Sequence, residues 1–142
     1  MKARISIVVA TLIAFIVGAS VFLYSQTQMT TLFSVQVPFD FRVGSSHLSA
    51  GHYRVLHVGS HLISLQRDDG KAQGLIPVMV SDRPSRESVS KLVFNRYGDQ
   101  YFLSQVWTAD DSQRHDCFPS QSEQIVLAKQ QRSGEVTVVS KR

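Results

Sequence analysis

The stretch that decides the fold is LFSVQVPFDFRV, residues 32–43, in which apolar and polar side chains alternate. The apolar set occupies every second position: Phe33, Val35, Val37, Phe39, Phe41 and Val43. Because successive side chains of a β-strand point to opposite faces, this alternation predicts a strand with one buried face. Pro38 falls on the polar face and has no N–H group, so we expect an edge strand or a bulge there.

Further strand-like segments follow this stretch and are separated by turn residues. The segments HYRVLHV (52–58) and HLISLQR (61–67) flank Gly59-Ser60, which predicts a hairpin with a two-residue turn. The segment GLIPVMV (74–80) is apolar at positions that would lie on both faces of a strand. It therefore predicts a more central strand.

The segment KLVFNRYGDQYFLSQVW, residues 91–107, holds five of the thirteen aromatic residues of the chain. Two strands joined at its Gly-Asp pair are predicted. A two-residue turn would set Phe94 opposite Leu103, whereas a three-residue loop would pair Phe94 with Phe102. The sequence leaves both registers open. Either way, most of these apolar residues are interpreted as sheet packing.

Three aromatic residues of this segment are candidates for a contact surface, namely Tyr97, Tyr101 and Trp107. They lie at the predicted turn and at a strand end, where a ring with a polar tip can stay partly exposed. Such rings are enriched at the centres of protein interfaces. If the domain has a binding surface, the sequence predicts it there.

The C-terminal region predicts a loop, one helix and a last strand. Residues 108–121 are interpreted as a long irregular connection, and Ser120 with Glu123 matches a capping box. The helix should begin near Ser122, and Ile125 with its neighbours should cover an open end of a barrel. The segment EVTVVS (135–140) predicts the last strand.

The segments together define the expected fold class. About seven short strands, one helix and no βαβ rhythm predict a mainly β domain, a small antiparallel barrel or sandwich with one short C-terminal helix. A hydrophobic export helix is predicted to precede it.

That export element is residues 1–25, in which Lys2 and Arg4 are followed by an apolar run over 5–24. Two interpretations stay open, a cleaved signal peptide and a retained signal-anchor, because small residues at 18–20 can end a signal and about 20 apolar residues can span a bilayer. Both place the N-terminus in the cytoplasm and export domain 26–142 to the periplasm or extracellular space. If uncleaved, 5–24 would anchor the protein in the inner membrane.

Charge and cysteine content limit the partners. Without Lys2 and Arg4, thirteen basic and eleven acidic residues leave a net charge of +2, which does not favour nucleic acid. An unidentified protein or a small apolar ligand is expected instead. Cys117 is the only cysteine, so no intramolecular disulfide can form. It is interpreted as a small buried hydrophobe, with an intermolecular bridge as the alternative.

Four of the five histidines fall close together in the sequence, and imidazole is a common metal ligand. They are His47, His52, His57 and His61. His52 and His57 would face opposite sides of one strand, and no HExxH or CxxC spacing is present. We therefore predict no metal site, cofactor or catalytic residue. A non-enzymatic binding or structural module is expected, with a barrel-type carrier of an apolar ligand or a histidine-based metal enzyme as alternatives.

Two segments together, VPFDFRVGSSHLSAGHYRV (37–55) and residues 91–107, resemble a family of small, exported, β-rich bacterial proteins of acidobacterial type. The resemblance covers about residues 33–107. It implies a shared fold and an envelope location, and it implies no functional residues. The chain departs from the family pattern at Ser49, where a proline is expected, and in its leader, which has no plain alanine cleavage site.

Overall fold

The computed structural model describes residues 29–71, 73–81, 89–109, 113–130 and 133–140. The predicted export helix and most of the polar stretch 81–90 lie outside the described residues. The described chain forms ten strands and one helix: β1 (Met29–Val37), β2 (Phe41–Val43), β3 (Ser46–Leu48), β4 (Gly51–Val58), β5 (Leu62–Arg67), β6 (Gln73–Ser81), β7 (Lys91–Tyr97), β8 (Gln100–Trp107), β9 (Arg114–Cys117), α1 (Gln121–Lys129) and β10 (Gly134–Val139). The predicted mainly β fold with one short helix is confirmed.

The strands form one open sheet, not the closed barrel that was one of the two predicted alternatives. Its order is β1-β4-β5-β6-β9-β8-β2-β3, with β7 on β8 and β10 on β7. Among the strands of the described residues, only β2 and β8 pair in parallel. Strand β6 joins two parts of the sheet, since it pairs with β5 as far as Pro77 and with β9 from Val78 onward.

The alternating stretch 32–43 buries the predicted face. Val35, Val37, Phe41 and Val43 are at most 2% exposed, while the polar residues between them are exposed or partly so. The stretch forms two strands rather than one, because β1 ends at Val37, just before Pro38. β1 is an edge strand, as the proline predicted, and its irregularity lies between Thr31 and Phe33.

The two hairpin predictions have different outcomes. In β7–β8, Phe94 pairs with Leu103, which selects the two-residue turn of the two open alternatives. In β4–β5, Val58 pairs with Leu62, so the turn contains three residues, and the predicted two-residue turn is wrong. His61 belongs to this turn instead of the strand.

The predicted irregular connection 108–121 contains a strand that sequence analysis missed. β9 lies between β6 and β8 and pairs with both. It has four residues, of which only His115 is buried. A strand so short and so polar carries no alternating apolar signal, and its partners determine its conformation.

The inner face of the sheet is filled by interlocking aromatic rings. Phe41 packs edge-on against Tyr53 and Phe94, with ring centroids 5.2 and 5.3 Å apart. The Tyr53 hydroxyl donates to the Ser49 carbonyl at 2.6 Å, so its polar tip is satisfied. Each fully buried side chain of this size contributes roughly 1.5–3 kcal/mol, and these rings take the place of a disulfide in holding the fold.

Helix α1 packs on the outer face of β7 through a buried carboxylate. Ser120 is the N-cap, as predicted, and its hydroxyl accepts from the Glu123 N–H at 3.2 Å. The Glu123 side chain does not complete a capping box, because it accepts from Asn95 Nδ2 at 2.9 Å and from the Tyr97 hydroxyl at 3.1 Å. Ile125 was predicted to cover a barrel end, but it is half exposed.

Candidate functional site

The outer face of β6 is exposed and apolar. Burial alternates along it, so that Ile76 and Val78 are buried while Leu75 is 49% and Met79 56% exposed. The strand is central in the sheet, as predicted, but only its inner face is packed. Its apolar outer positions therefore need another explanation.

Neighbouring elements extend this apolar character across the sheet. Pro77 pairs with Leu62 of β5, which is 39% exposed. On the other side, the Phe118 N–H donates to the Pro77 carbonyl at 3.2 Å, and Phe118 is half exposed. Ile125 adds an apolar side chain from α1. We call these residues the apolar surface: Leu62, Leu75, Pro77, Met79, Phe118 and Ile125.

A groove of about 510 Å³ crosses the apolar surface. Leu75, Pro77, Phe118 and Ile125 line it, and Ile76 lies among the lining residues. The remaining lining residues are small or polar and carry no charge: Gly44, Ser45, Pro119, Ser120, Gln121 and Ser122. The groove thus presents apolar side chains inside an uncharged rim.

Gly44 shapes one wall of the groove. Its φ of +58° lies in the left-handed region, and a Cβ atom at this position would stand 2.6 Å from the Leu75 carbonyl oxygen. Glycine alone avoids both the strain of this φ value and the clash with the carbonyl oxygen, because it has no Cβ atom. The β2–β3 turn can therefore lie directly against β6, which closes the groove on that side.

The three predicted contact residues lie in three different environments. Tyr97 is 3% exposed and binds Glu123, so it is a structural residue. Tyr101 stacks on Phe39 at 4.1 Å, near one end of β8. Trp107 lies at the other end of β8. A role for Tyr101 or Trp107 in binding stays a prediction, and neither residue belongs to the apolar surface.

The surroundings of Tyr101 and Trp107 are polar. Trp107 lies between Lys91 and Arg114, whose charged groups are 4.9 and 5.7 Å from its ring centroid. Tyr101 lines a polar cleft of about 270 Å³ together with residues of the β2–β3 hairpin, of the segment just before it and of the start of β8 with its preceding turn: Asp40, Phe41, Arg42, His47, Asp99 and Gln100. The side chains of this cleft that are charged are mostly exposed, so solvent screens them.

The histidines that are clustered in the sequence are not clustered in space. His57 lies beside His115, with ring centroids 5.5 Å apart, whereas His47, His52 and His61 are exposed. Within the part of the chain that the structure describes, three or more His, Cys, Asp or Glu side chains do not come together as a metal site.

Cys117 packs against the inner core from β9. Burial raises the pKa of its thiol well above the ordinary value, and the negative charges of Asp116 and Glu123 raise it further. The thiol is therefore protonated at neutral pH and a poor nucleophile. This agrees with the interpretation of Cys117 as a small hydrophobe.

Sequence analysis missed the apolar surface although one signal for it was present. The segment 74–80 is apolar on both faces, and such a strand is either covered twice or exposed on one side. Phe118 and Ile125 give no comparable signal, since they lie in a predicted loop and in a short predicted helix. Only the fold brings them beside β6.

Comparison of the chain with protein-family models, with curated proteins and with solved structures finds no match. The resemblance to small exported β-rich bacterial proteins therefore stays a prediction. Among the described residues, α1 has nine residues and no helix reaches the length and hydropathy needed to cross a bilayer.

Proposed function

We propose that residues 26–142 form an exported, non-enzymatic interaction module of the cell envelope that contacts its partner through the apolar surface. One observation carries this proposal. Five large apolar side chains from β5, β6, α1 and the segment after β9 are 39–56% exposed and lie side by side: Leu62, Leu75, Met79, Phe118 and Ile125. Contiguous apolar patches with a polar rim are typical of interaction sites.

The energetics of the apolar surface favour this interpretation. Fully burying one such side chain contributes about 1.5–3 kcal/mol, and these side chains are only about half buried in the isolated domain. A partner that covers these side chains would gain the free energy of burying their remaining exposed area. The uncharged rim of Ser45, Ser120 and Gln121 adds little cost, because no charge has to leave water.

The alternative of a barrel-type carrier has less support. A carrier needs an interior cavity for its ligand. In this domain the ring of Phe41 contacts the rings of both Tyr53 and Phe94 in the interior. The exposed groove, which lies on the outer face, is the better candidate for a binding site.

The proposal is tested by photo-crosslinking in intact cells. Phe118 is replaced by the photo-crosslinker p-benzoylphenylalanine, and Lys71, an exposed residue in the β5–β6 turn, is replaced in the same way as the control. We expect irradiation to give covalent adducts in the envelope fraction from position 118 and markedly fewer from position 71. Both protein and lipid adducts are to be identified by mass spectrometry.

Equal adduct yields from the two positions would contradict the proposal, as would recovery of the chain in the cytoplasmic fraction. A third variant tests whether the adducts depend on the groove and not on the single position 118. Leu75 lies in the same groove and should give the same adducts as Phe118 when it carries the crosslinker.

A further inference from the structure

We infer that the partner of the apolar surface is a lipid bilayer, namely the exported face of the membrane that residues 5–24 are predicted to enter. This inference rests on the proposed function and specifies its partner. It comes from the position of Met29, five residues after the predicted apolar run, relative to the apolar surface.

A transverse row of apolar residues connects β1 to the apolar surface. Met29 pairs with Val58, Val58 pairs with Leu62, and Leu62 pairs with Pro77. Directly opposed residues on neighbouring strands lie on the same face of a sheet. Met29, which is 60% exposed, therefore lies on the outer face at the end of the row that leads to Phe118.

The burial of Val58 supports this assignment. It is 9% exposed, yet it does not belong to the inner core cluster that contains Val55 of the same strand. The outer face of β4 is thus apolar at this end. The row is continuous across four strands, from Met29 to Pro77.

The chain length between the apolar run and Met29 is short. The five peptide steps from Tyr24 to Met29 span at most about 18 Å when fully extended. The polar interface on each side of the hydrocarbon core is roughly 5–8 Å thick. If residues 5–24 occupy the membrane, Met29 and its row lie within reach of the bilayer surface.

The charges around the apolar surface are compatible with lipid. Asp116, the cross-strand partner of Met79, is the carboxylate that would oppose anionic headgroups. It is paired with Arg114 at 2.7 Å, which offsets its charge. The groove residues themselves are uncharged, so contact with the interface buries no ion.

The inference is tested with the full chain in vesicles of phosphatidylethanolamine and phosphatidylglycerol. In a Cys117→Ser background, Phe118→Cys, Leu75→Cys and the control Lys71→Cys are each labelled with an environment-sensitive fluorophore. Lys71 lies beyond the far end of β5, about 15–20 Å along the strands from Pro77. The fluorescence of Trp107 shows whether each variant keeps its fold.

We expect spin-labelled lipids to quench the probes at 118 and 75 at least about threefold more than the probe at 71, since an apolar face at the interface lies about 5–10 Å into the headgroup boundary. Iodide in the water should quench in the opposite order. Equal lipid quenching at all three positions would overturn the inference. If position 118 then gives protein adducts in cells, the proposed interaction module is still supported, but with a protein as its partner. If no position gives adducts, both the proposed function and the lipid inference are contradicted.

Discussion

Strands β8 and β6 both carry apolar residues on their two faces, but only β8 is covered on the outside. Phe102 lies on the outer face of β8 and is 2% exposed beside Tyr97, close to α1. Leu75 occupies an outer position of β6 and is half exposed. The same sequence pattern thus yields packing in one strand and an open surface in the other.

The difference follows from how the helix is held. α1 is attached through the Glu123 carboxylate, which accepts hydrogen bonds from Asn95 and Tyr97 of β7. Two of its apolar residues, Ile125 and Leu127, are half exposed, so they contribute little to holding the helix in place. The hydrogen bonds of Glu123 therefore hold α1 beside β7 and β8, and the outer face of β6 stays exposed.

The difference between the outer faces of β8 and β6 is tested by substitutions, and the largest loss of stability is expected at Phe102. Phe102→Ala removes a buried ring that packs against Tyr97 and should lower the free energy of unfolding by about 3–5 kcal/mol. Urea denaturation followed by the fluorescence of Trp107 measures this value. A loss below about 1 kcal/mol would mean that the outer face of β8 is not packed.

The helix anchor should give the next largest effect. Glu123→Ala leaves the partly buried donor of Asn95 and the buried hydroxyl of Tyr97 without this acceptor, which should cost about 1–3 kcal/mol. Glu123→Gln keeps one carbonyl acceptor and is the matched control, so it should lose less. If the two variants unfold at the same urea concentration, the hydrogen bonds do not hold the helix.

The helix cap should give a smaller effect. Ser120→Ala removes the acceptor for the Glu123 N–H and should cost about 1 kcal/mol. Ser122→Ala, inside the first turn, is the control and should be close to neutral. The measurement is the shift in the midpoint of thermal unfolding, followed by circular dichroism.

The smallest effect is expected on the open strand. Met79→Ala changes a side chain that is 56% exposed and should alter the free energy of unfolding by no more than about 0.5 kcal/mol. It should reduce adduct formation or lipid quenching at the neighbouring groove. A destabilisation comparable with that of Phe102→Ala would show that β6 is packed on both faces after all.

The sequence predicts most of the inner face and little of the outer one. Two-residue alternation over 32–43 and the hairpin of 91–107 identify the core strands, because burial on one face leaves a local periodic signal. β9 gives no such signal, and the apolar pattern of 74–80 does not say whether the outer face of β6 is covered or exposed, since both depend on which distant segments lie beside them. Tyr97 was a predicted contact residue, but its hydroxyl binds Glu123, a partner 26 positions away.

The change of partner along β6 has a consequence for folding. One continuous segment carries ladder hydrogen bonds to β5 up to Pro77 and to β9 from Val78, so neither part of the sheet can separate while β6 keeps its conformation. The domain should therefore melt as a single cooperative unit. The amides of β6 that face β5 and β9, such as those of Ile76 and Met79 respectively, should be among the slowest to exchange with deuterium.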